Sequence, residues 1–205
     1  MAKNYLISGP AQSKSTFLLA HGAGAPMDSE WMEQLCLLLG QAVKVVRFEF
    51  PYMETIRESG KKRPPDRPQV LKKEWKRVIE EHRDGQHIFI GGKSLGGRIA
   101  SLVADECKVS GLICLGFPFH APGKAPGDRI THLETLKTRS LILQGERDSF
   151  GNKNEVLSYQ LSQSIELRWL NDGDHSFKPR KKSGFDLAGN MDEAAKAIVE
   201  FIRTN

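Results

Sequence analysis

The sequence predicts an α/β fold, with a mainly parallel sheet covered by helices on both faces. Short runs rich in Val, Ile, Leu and Phe alternate along the chain with segments of helical periodicity. This alternation is typical of parallel strands joined by helices, and strands buried on both faces are apolar throughout. The length of 205 residues suits one well-buried core. We therefore expect a single domain over residues 1–205.

Seven segments are predicted as strands because each is short, apolar and rich in β-branched residues. They are residues 5–7 at an edge, then 16–20, 43–48, 87–90, 112–115, 140–143 and 165–170. Helices are predicted where apolar residues recur at three and four positions. These segments are 29–41, 69–83, one that begins at Leu95, 152–161 and 190–203. Two segments rich in proline, 51–68 and 117–129, are predicted as loops.

The composition is that of an ordinary soluble globular domain, and we expect no cofactor. The hydrophobic fraction is 39% and the charged fraction 27%, as in ordinary globular domains. No apolar run approaches the roughly 20 residues that span a bilayer, so no membrane partner is expected. The first residues lack the pattern of a secretory signal. The three cysteines lack metal-type spacing and are predicted as free thiols, so we expect no metal and a cytoplasmic location.

The net charge of +5 is unevenly distributed. Basic residues cluster at 57–77 and again at 178–182. Solvated surfaces explain such clusters most simply, and an anionic substrate or surface is the alternative. Nucleic acid binding is not favoured, because aromatic residues do not interleave with the basic ones and no RNA-binding signature is present.

The segment His87-Ile88-Phe89-Ile90-Gly91-Gly92-Lys93-Ser94-Leu95-Gly96 carries the strongest functional signal. An apolar strand leads directly into Gly-x-Ser-x-Gly, and a helix-compatible segment follows. A nucleophilic serine needs a sharp turn that exposes its hydroxyl above the sheet. Gly92 and Gly96 would let the strand and the helix approach each other. The sequence therefore predicts Ser94 as a nucleophile.

Gly92-Lys93-Ser94 also imitates the end of a phosphate-binding P-loop. That motif requires a glycine five positions before Gly92, and His87 occupies this position inside a strand. The P-loop interpretation is therefore rejected.

A serine nucleophile needs a base, and the base needs an acid to orient it. Asp148 follows the strand at 140–143 and is the predicted acid, with Glu146 in reserve. His175 lies in a polar loop after the last predicted strand. Among the six histidines, it alone combines the order Ser, Asp, His with such a loop. The predicted triad is Ser94, Asp148 and His175.

Backbone N–H groups are expected to stabilise the oxyanion that forms during acyl transfer. One donor is predicted at Leu95, the residue after the nucleophile. The other is predicted in the glycine-rich loop after the strand at 16–20, at Ala23, with Gly24 next. His21, at the start of this loop, is interpreted as a structural hydrogen-bonding residue.

These motifs resemble those of small α/β-hydrolases, in particular bacterial hydrolases related to dienelactone hydrolases and to human testis-expressed homologues. The segments that carry the resemblance are His21-Gly22-Ala23-Gly24, Phe50-Pro51-Tyr52-Met53, Arg63-Pro64-Pro65-Asp66-Arg67, Gly92-Lys93-Ser94-Leu95-Gly96-Gly97, Gly145-Glu146-Arg147-Asp148 and Gly173-Asp174-His175-Ser176-Phe177. The resemblance implies the α/β-hydrolase fold with a minimal lid, and the triad roles. Dienelactone hydrolase uses a cysteine, so Ser94 argues against that activity.

The expected function is hydrolysis of a small carboxylic ester or thioester through an acyl-enzyme. The segment 117–129 is too short for a helical cap, so an open site is expected, with Phe117, Phe119 and His120 either lining it or packing under the loop. Basic residues of 51–68 could border it and favour an anionic substrate such as an acyl-CoA thioester. The alternatives are acyl transfer to another acceptor, a non-catalytic protein on the same fold, or a binding module for anionic partners.

Overall fold

The structure is a computed structural model that describes residues 4–40, 42–84 and 87–204. Its centre is a seven-stranded sheet in the order β1-β3-β2-β4-β5-β6-β7, in which only β1 runs antiparallel to its neighbour. The strands are β1 (Leu6–Ser8), β2 (Ser15–Ala20), β3 (Lys44–Phe48), β4 (His87–Lys93), β5 (Gly111–Leu115), β6 (Ser140–Gly145) and β7 (Ile165–Leu170). This confirms the predicted parallel α/β sheet and its seven strands.

Helices cover both faces of this sheet. They are α1 (Glu30–Leu39), α2 (Pro51–Ser59), α3 (Pro68–Glu81), α4 (Leu95–Ser101), α5 (Ala104–Cys107), α6 (Lys153–Val156) and α7 (Leu187–Arg203). Alternate residues of the strands point to opposite faces. In β2, Leu18 and Ala20 pack in the apolar layer that includes Trp75 of α3, while Phe17 and Leu19 pack in the layer that includes α1 and α7. Two apolar layers therefore hold the sheet in place.

The prediction that 51–68 is a loop throughout is wrong. Pro51 begins α2 and Pro68 begins α3, and only the residues between Ser59 and Pro68 are irregular. Proline is well suited to the first helical position, because its missing N–H would have no partner there and its φ is already helical. Tyr52 and Met53 of α2 are buried, so this helix is also fixed by packing.

Three other helices also differ in their boundaries from the sequence prediction. The helix expected at 152–161 ends at Val156, and the next residue, Leu157, is 63% exposed. The last helix begins at Leu187 because Asp186 caps it, accepting a hydrogen bond from Gly189 N at 2.7 Å. The first helix ends at Leu39, and position 41, included in the prediction, lies outside the described residues. The segment 117–129 contains only one short 3₁₀ turn, Gly127–Arg129.

Candidate active site

The turn between β4 and α4 holds Ser94 in a strained conformation above the sheet. Its φ is 49° and its ψ is −113°, a region that residues with side chains rarely adopt. The two flanking glycines allow this turn. A Cβ on Gly92 would lie 2.4 Å from the Ala20 carbonyl oxygen, and one on Gly96 would lie 2.7 Å from the same oxygen. The strand, the turn and the helix are therefore too close for any side chain at either position.

Three side chains that are far apart in the sequence form a chain of hydrogen bonds at this turn. His175 Nε2 lies 2.8 Å from Ser94 Oγ, and His175 Nδ1 lies 2.8 Å from Asp148 Oδ2. Ser94 follows β4, Asp148 follows β6 and His175 follows β7, so the carboxyl ends of three parallel strands bring them together. Because a carboxylate only accepts, Nδ1 carries the proton when the imidazole is neutral, which leaves Nε2 free to accept from the Ser94 hydroxyl.

Asp148 is completely buried and firmly oriented. Its Oδ1 accepts from Phe150 N at 2.8 Å, and its Oδ2 accepts from the side-chain amide of Gln144 at 2.9 Å. Gln144 is itself buried, and its Oε1 accepts from Phe117 N at 2.7 Å. These contacts compensate the burial of a carboxylate, which is costly when it lacks partners.

Glu146, the reserve acid, has partners other than His175. It forms an ion pair with Lys153 at 2.8 Å and accepts from Asp172 N at 3.0 Å. The hydrogen bond from Lys153 lowers the pKa of this carboxyl, and the Asp172 N–H acts in the same direction. Of the two acids weighed from the sequence, the structure therefore places Asp148 against the imidazole.

Hydrogen bonds of the His21 and Tyr52 side chains hold the loop after β2 in place. His21 Nε2 accepts from Phe50 N at 3.1 Å, and its Nδ1 lies 2.6 Å from Gly22 O. The Nδ1 therefore carries the proton that is donated to this carbonyl. The Tyr52 hydroxyl donates to Ala23 O at 3.1 Å. A buried histidine and a buried tyrosine thus hold the backbone of this loop near Ser94.

A cavity of about 320 Å³ lies directly above Ser94. The loop residues Ala23 and Gly24 line it on one side and His175 on another. Leu95 follows Ser94 in the chain as the first residue of α4. All three residues predicted to form the oxyanion site therefore lie in or next to the turn and loop that surround the Ser94 hydroxyl.

Lys93, the residue before the nucleophile, also lies beside the cavity. Its ammonium donates to the backbone carbonyl of His175 and lies 5.4 Å from the ring centre of Trp31 and 5.6 Å from that of Phe177. Burial lowers the pKa of Lys93 to about 8, while the negative charge of Asp148 opposes this shift. The ammonium thus links the nucleophile turn to the histidine loop.

Phe117, Phe119 and His120 do not line the cavity. Phe117 and Phe119 have no exposed surface and pack in the core with ring centres 4.9 Å apart, and His120 is 4% exposed. His120 Nε2 lies 3.3 Å from Glu155, beneath the loop. Of the two alternatives left open by the sequence, the structure therefore has these residues packing under the loop.

Aromatic residues that the sequence reasoning missed take their place. Trp31 and Phe150 line the cavity, and the Phe150 ring lies 4.3 Å from the His175 ring. Trp31 Nε1 donates to Ser176 O at 3.1 Å, which fixes the loop that carries His175. The position of Phe150 only two residues after the predicted acid was the available signal. No sequence pattern indicated Trp31, because its helix lies far along the chain from Ser94, Asp148 and His175.

The part of the chain that the structure describes has neither a metal-binding cluster nor a membrane-spanning helix. Over 4–40, 42–84 and 87–204, no three His, Cys, Asp or Glu side chains gather in a metal-binding arrangement. Within these same ranges, no helix has the length and apolar character to cross a bilayer. The described cysteines, Cys36, Cys107 and Cys114, are free thiols.

Solved structures with the same fold include several hydrolases. An α/β serine hydrolase homologue from Coxiella burnetii aligns at 22% identity and a TM-score of 0.73, covering 97% of this chain and 90% of that one. An α/β serine hydrolase without lid from Xanthomonas campestris aligns at 19% identity and 0.68, covering 95% and 88%. A dienelactone hydrolase from Anabaena variabilis aligns at 18% identity and 0.72, covering 98% and 90%. These likenesses establish the fold.

The family comparison covers the parts of the chain that carry every predicted site residue. The alpha/beta hydrolase domain family matches residues 13–203, which extend from just before β2 to the end of α7. On this match over nearly its whole length, the chain belongs to the α/β hydrolase family.

Proposed function

We propose that this protein is a serine hydrolase that cleaves small carboxylic esters or thioesters, with Ser94, His175 and Asp148 as its catalytic triad. The observation that supports the proposal most directly is the pair of 2.8 Å contacts that join Ser94 Oγ to His175 and His175 to Asp148. Nucleophile, base and orienting acid are thus within hydrogen-bonding distance in the order that acyl transfer requires.

In the first half of the reaction, Ser94 Oγ attacks the substrate carbonyl carbon while His175 Nε2 takes the hydroxyl proton. The tetrahedral intermediate collapses as the carbonyl re-forms, and His175 returns the proton to the departing alcohol or thiol. Water then attacks the acyl-enzyme with His175 again acting as base, which releases the acid and restores Ser94. Asp148 stabilises the imidazolium that forms in each half.

The negative charge of each intermediate develops on the former carbonyl oxygen. We assign the backbone N–H groups of Leu95 and Ala23 as its donors, with Gly24 as the alternative to Ala23. The hydrogen bonds of His21 and Tyr52 to the loop support this role, because an oxyanion site is effective only when its donors are fixed before the reaction.

Labelling with a fluorophosphonate probe tests the proposal, because the probe reacts only with an activated serine. The intact protein should be labelled at Ser94, and Ser94→Ala and His175→Ala should not be labelled. Turnover of short p-nitrophenyl esters should fall by about 10³-fold or more in both variants. A folded but unlabelled wild-type protein would contradict the proposal.

The chain offers a matched control in a second serine–histidine pair. Ser101 Oγ lies 2.8 Å from His132 Nε2, the same separation as in the candidate triad. Ser101 is buried and neither residue lines the cavity above Ser94. Ser101→Ala should therefore retain labelling and ester turnover, which separates loss of the nucleophile from loss of a serine hydroxyl.

Acyl transfer to an acceptor other than water would use the same groups. Product analysis in the presence of added alcohols or thiols distinguishes it from hydrolysis.

We further propose a single-domain protein of the cytoplasm, related within the family to dienelactone-hydrolase-like bacterial proteins and human testis-expressed homologues. The motifs around His21, Ser94 and His175 support that relationship.

A further inference from the structure

A second cavity adjoins the one above Ser94. Its volume is about 440 Å³, and Ala23 and Gly24 line both cavities. These two residues belong to the loop that we assign to the oxyanion site. A substrate whose carbonyl is held at this loop therefore has one arm next to the second cavity.

The walls of the second cavity combine apolar and cationic side chains. Pro26, Met53 and Ile56 supply the apolar surface. Three cationic residues, Arg57, Lys62 and Arg63, complete the lining. Such a surface suits an arm that begins with methylene groups and ends in an anion, because both parts then meet matching chemistry.

The charged side chains among the described residues that line the two cavities are all cationic. The described residues that line them include Arg57, Lys62, Arg63 and Lys93, and none of these lining residues is Asp or Glu. Adjacent cationic groups bordering a cleft with apolar walls attract anions into it.

The cationic residues of the second cavity differ in whether a carboxylate of the protein already neutralises their charge. Arg57 is paired with Glu49 at 2.6 Å and with Asp28 at 2.8 Å, and Arg63 is paired with Asp66 at 2.9 Å. Among the described residues, no ion pair is found for Lys62, which is exposed. Lys62 is therefore the cation with the most charge to offer an incoming anion.

We propose that the second cavity binds the anionic arm of the substrate, an apolar segment that ends in a carboxylate or a phosphate. The inference rests on the proposed function and narrows its substrate class to anionic esters or thioesters. A carboxylate and a phosphate both present acceptor oxygens to Lys62 and Arg63. A substrate with a carboxylate on its acyl arm and one with a phosphate on its leaving group distinguish the two sources of the anion.

Two matched pairs of substrates test the inference. The first pair is p-nitrophenyl hexanoate and the mono-p-nitrophenyl ester of adipic acid, which differ by a carboxylate on the acyl arm. The second is the butyryl thioester of pantetheine and that of 4′-phosphopantetheine, which differ by one phosphate on the leaving group. At low salt, the charged member of at least one pair should have a kcat/KM about tenfold higher. This preference should fade as salt shortens the screening length to about 10 Å at 0.1 M.

Lys62→Glu and Lys61→Glu provide the matched variants. Both change the net charge equally and both positions are exposed in the same loop, but only Lys62 lines the cavity. Lys62→Glu should lower the ratio of charged to neutral kcat/KM by about tenfold, and Lys61→Glu by no more than about twofold. Equal effects of the two variants, or no preference for a charged substrate, would overturn the inference.

Failure of the inference and failure of the proposed function give different results. If Ser94 is labelled and neutral esters are hydrolysed without any charge preference, only the inference fails. If Ser94 is neither labelled nor needed for hydrolysis, the proposed function fails. Calorimetric binding of the 4′-phosphopantetheine thioester to Ser94→Ala alone, and to Ser94→Ala combined with Lys62→Glu or with Lys61→Glu, then tests the cavity without turnover. Binding that is weakened by Lys62→Glu and not by Lys61→Glu supports the inference, and equal binding by all three proteins overturns it.

Discussion

The side-chain amide of Gln144 donates to Oδ2 of Asp148 at 2.9 Å, and this is the same oxygen that faces His175 Nδ1 at 2.8 Å. Gln144 is the second-last residue of β6 and is completely buried. Its Oε1 accepts from Phe117 N, and the same amide nitrogen also lies within hydrogen-bonding distance of the carbonyl oxygens of Phe117 and Gly151. One side chain thus connects the candidate acid to two loops around the site.

Gln144→Leu should weaken both the fold and the reaction. The substitution leaves Phe117 N without its acceptor and removes a donor from Asp148, and one unsatisfied buried group costs about 1–3 kcal/mol. We expect the free energy of unfolding in urea to fall by about 2–3 kcal/mol, and kcat for a short ester to fall about tenfold because His175 is held less firmly. Gln163→Leu, the same change at an exposed position, should alter neither. Equal stability of the two variants would contradict this role of Gln144.

Arg57→Leu should destabilise the protein more than Glu49→Leu. Glu49 is buried and accepts from Arg57 and from Met27 N, whereas Arg57 is 44% exposed and keeps Asp28 as a partner. Removing Arg57 leaves a buried carboxylate unpaired, a change that costs about 3–5 kcal/mol when both partners are buried and less here. Urea unfolding of both variants and of the double variant measures this difference. If Glu49→Leu lowered the free energy of unfolding more than Arg57→Leu, the prediction would be wrong and the unpaired Glu49 carboxylate would be well solvated.

Stability should depend on pH through His132. Burial and the positive charge of Arg98 lower the pKa of His132 to about 4. As pH falls from about 6.5, the ordinary histidine pKa, towards 4, the unfolded chain binds this proton and the folded one does not. The stability associated with neutral His132 is therefore complete above about pH 6.5 and is lost towards pH 4.

The measurement is the free energy of unfolding at several pH values between 7.5 and 4.5. His132→Gln should show a shallower loss than the wild type over this interval. Ser101→Ala removes the hydrogen-bond partner of His132 but leaves its burial and Arg98 unchanged, so it should keep the wild-type slope. Identical slopes for wild type and His132→Gln would contradict the assignment.

Gly92→Ala and Gly24→Ala should differ sharply in stability. A Cβ at Gly92 would lie 2.4 Å from a backbone oxygen and 2.9 Å from the Gly96 carbonyl carbon, whereas one at Gly24 meets nothing within 4 Å. Overpacking against backbone costs at least about 1–3 kcal/mol. Thermal unfolding should therefore show a large loss for Gly92→Ala and little change for Gly24→Ala. Two similar melting temperatures would mean that the strand and the helix can separate at little cost.

The order of the strands along the chain and the chemistry placed at their ends can be predicted from the amino-acid sequence. Runs of apolar residues specify strands because burial on both faces requires them, and Gly92 and Gly96 identify a turn that no larger residue fits. Since parallel strands end at one edge of a sheet, the order Ser94, Asp148, His175 was enough to predict that these residues meet. These inferences depend on local patterns and on chain direction, both of which are visible in a sequence.

Which side chains face one another follows from the folded structure and not from local sequence patterns. The folded structure put Asp148 rather than Glu146 against His175, buried Phe117 and Phe119, and lined the cavity with Trp31. Pro51 was predicted to lie in a loop, but it begins a helix in which Tyr52 and Met53 are buried. The physical reason is that side-chain direction and burial depend on contacts between residues far apart in the sequence, and no local pattern specifies those contacts.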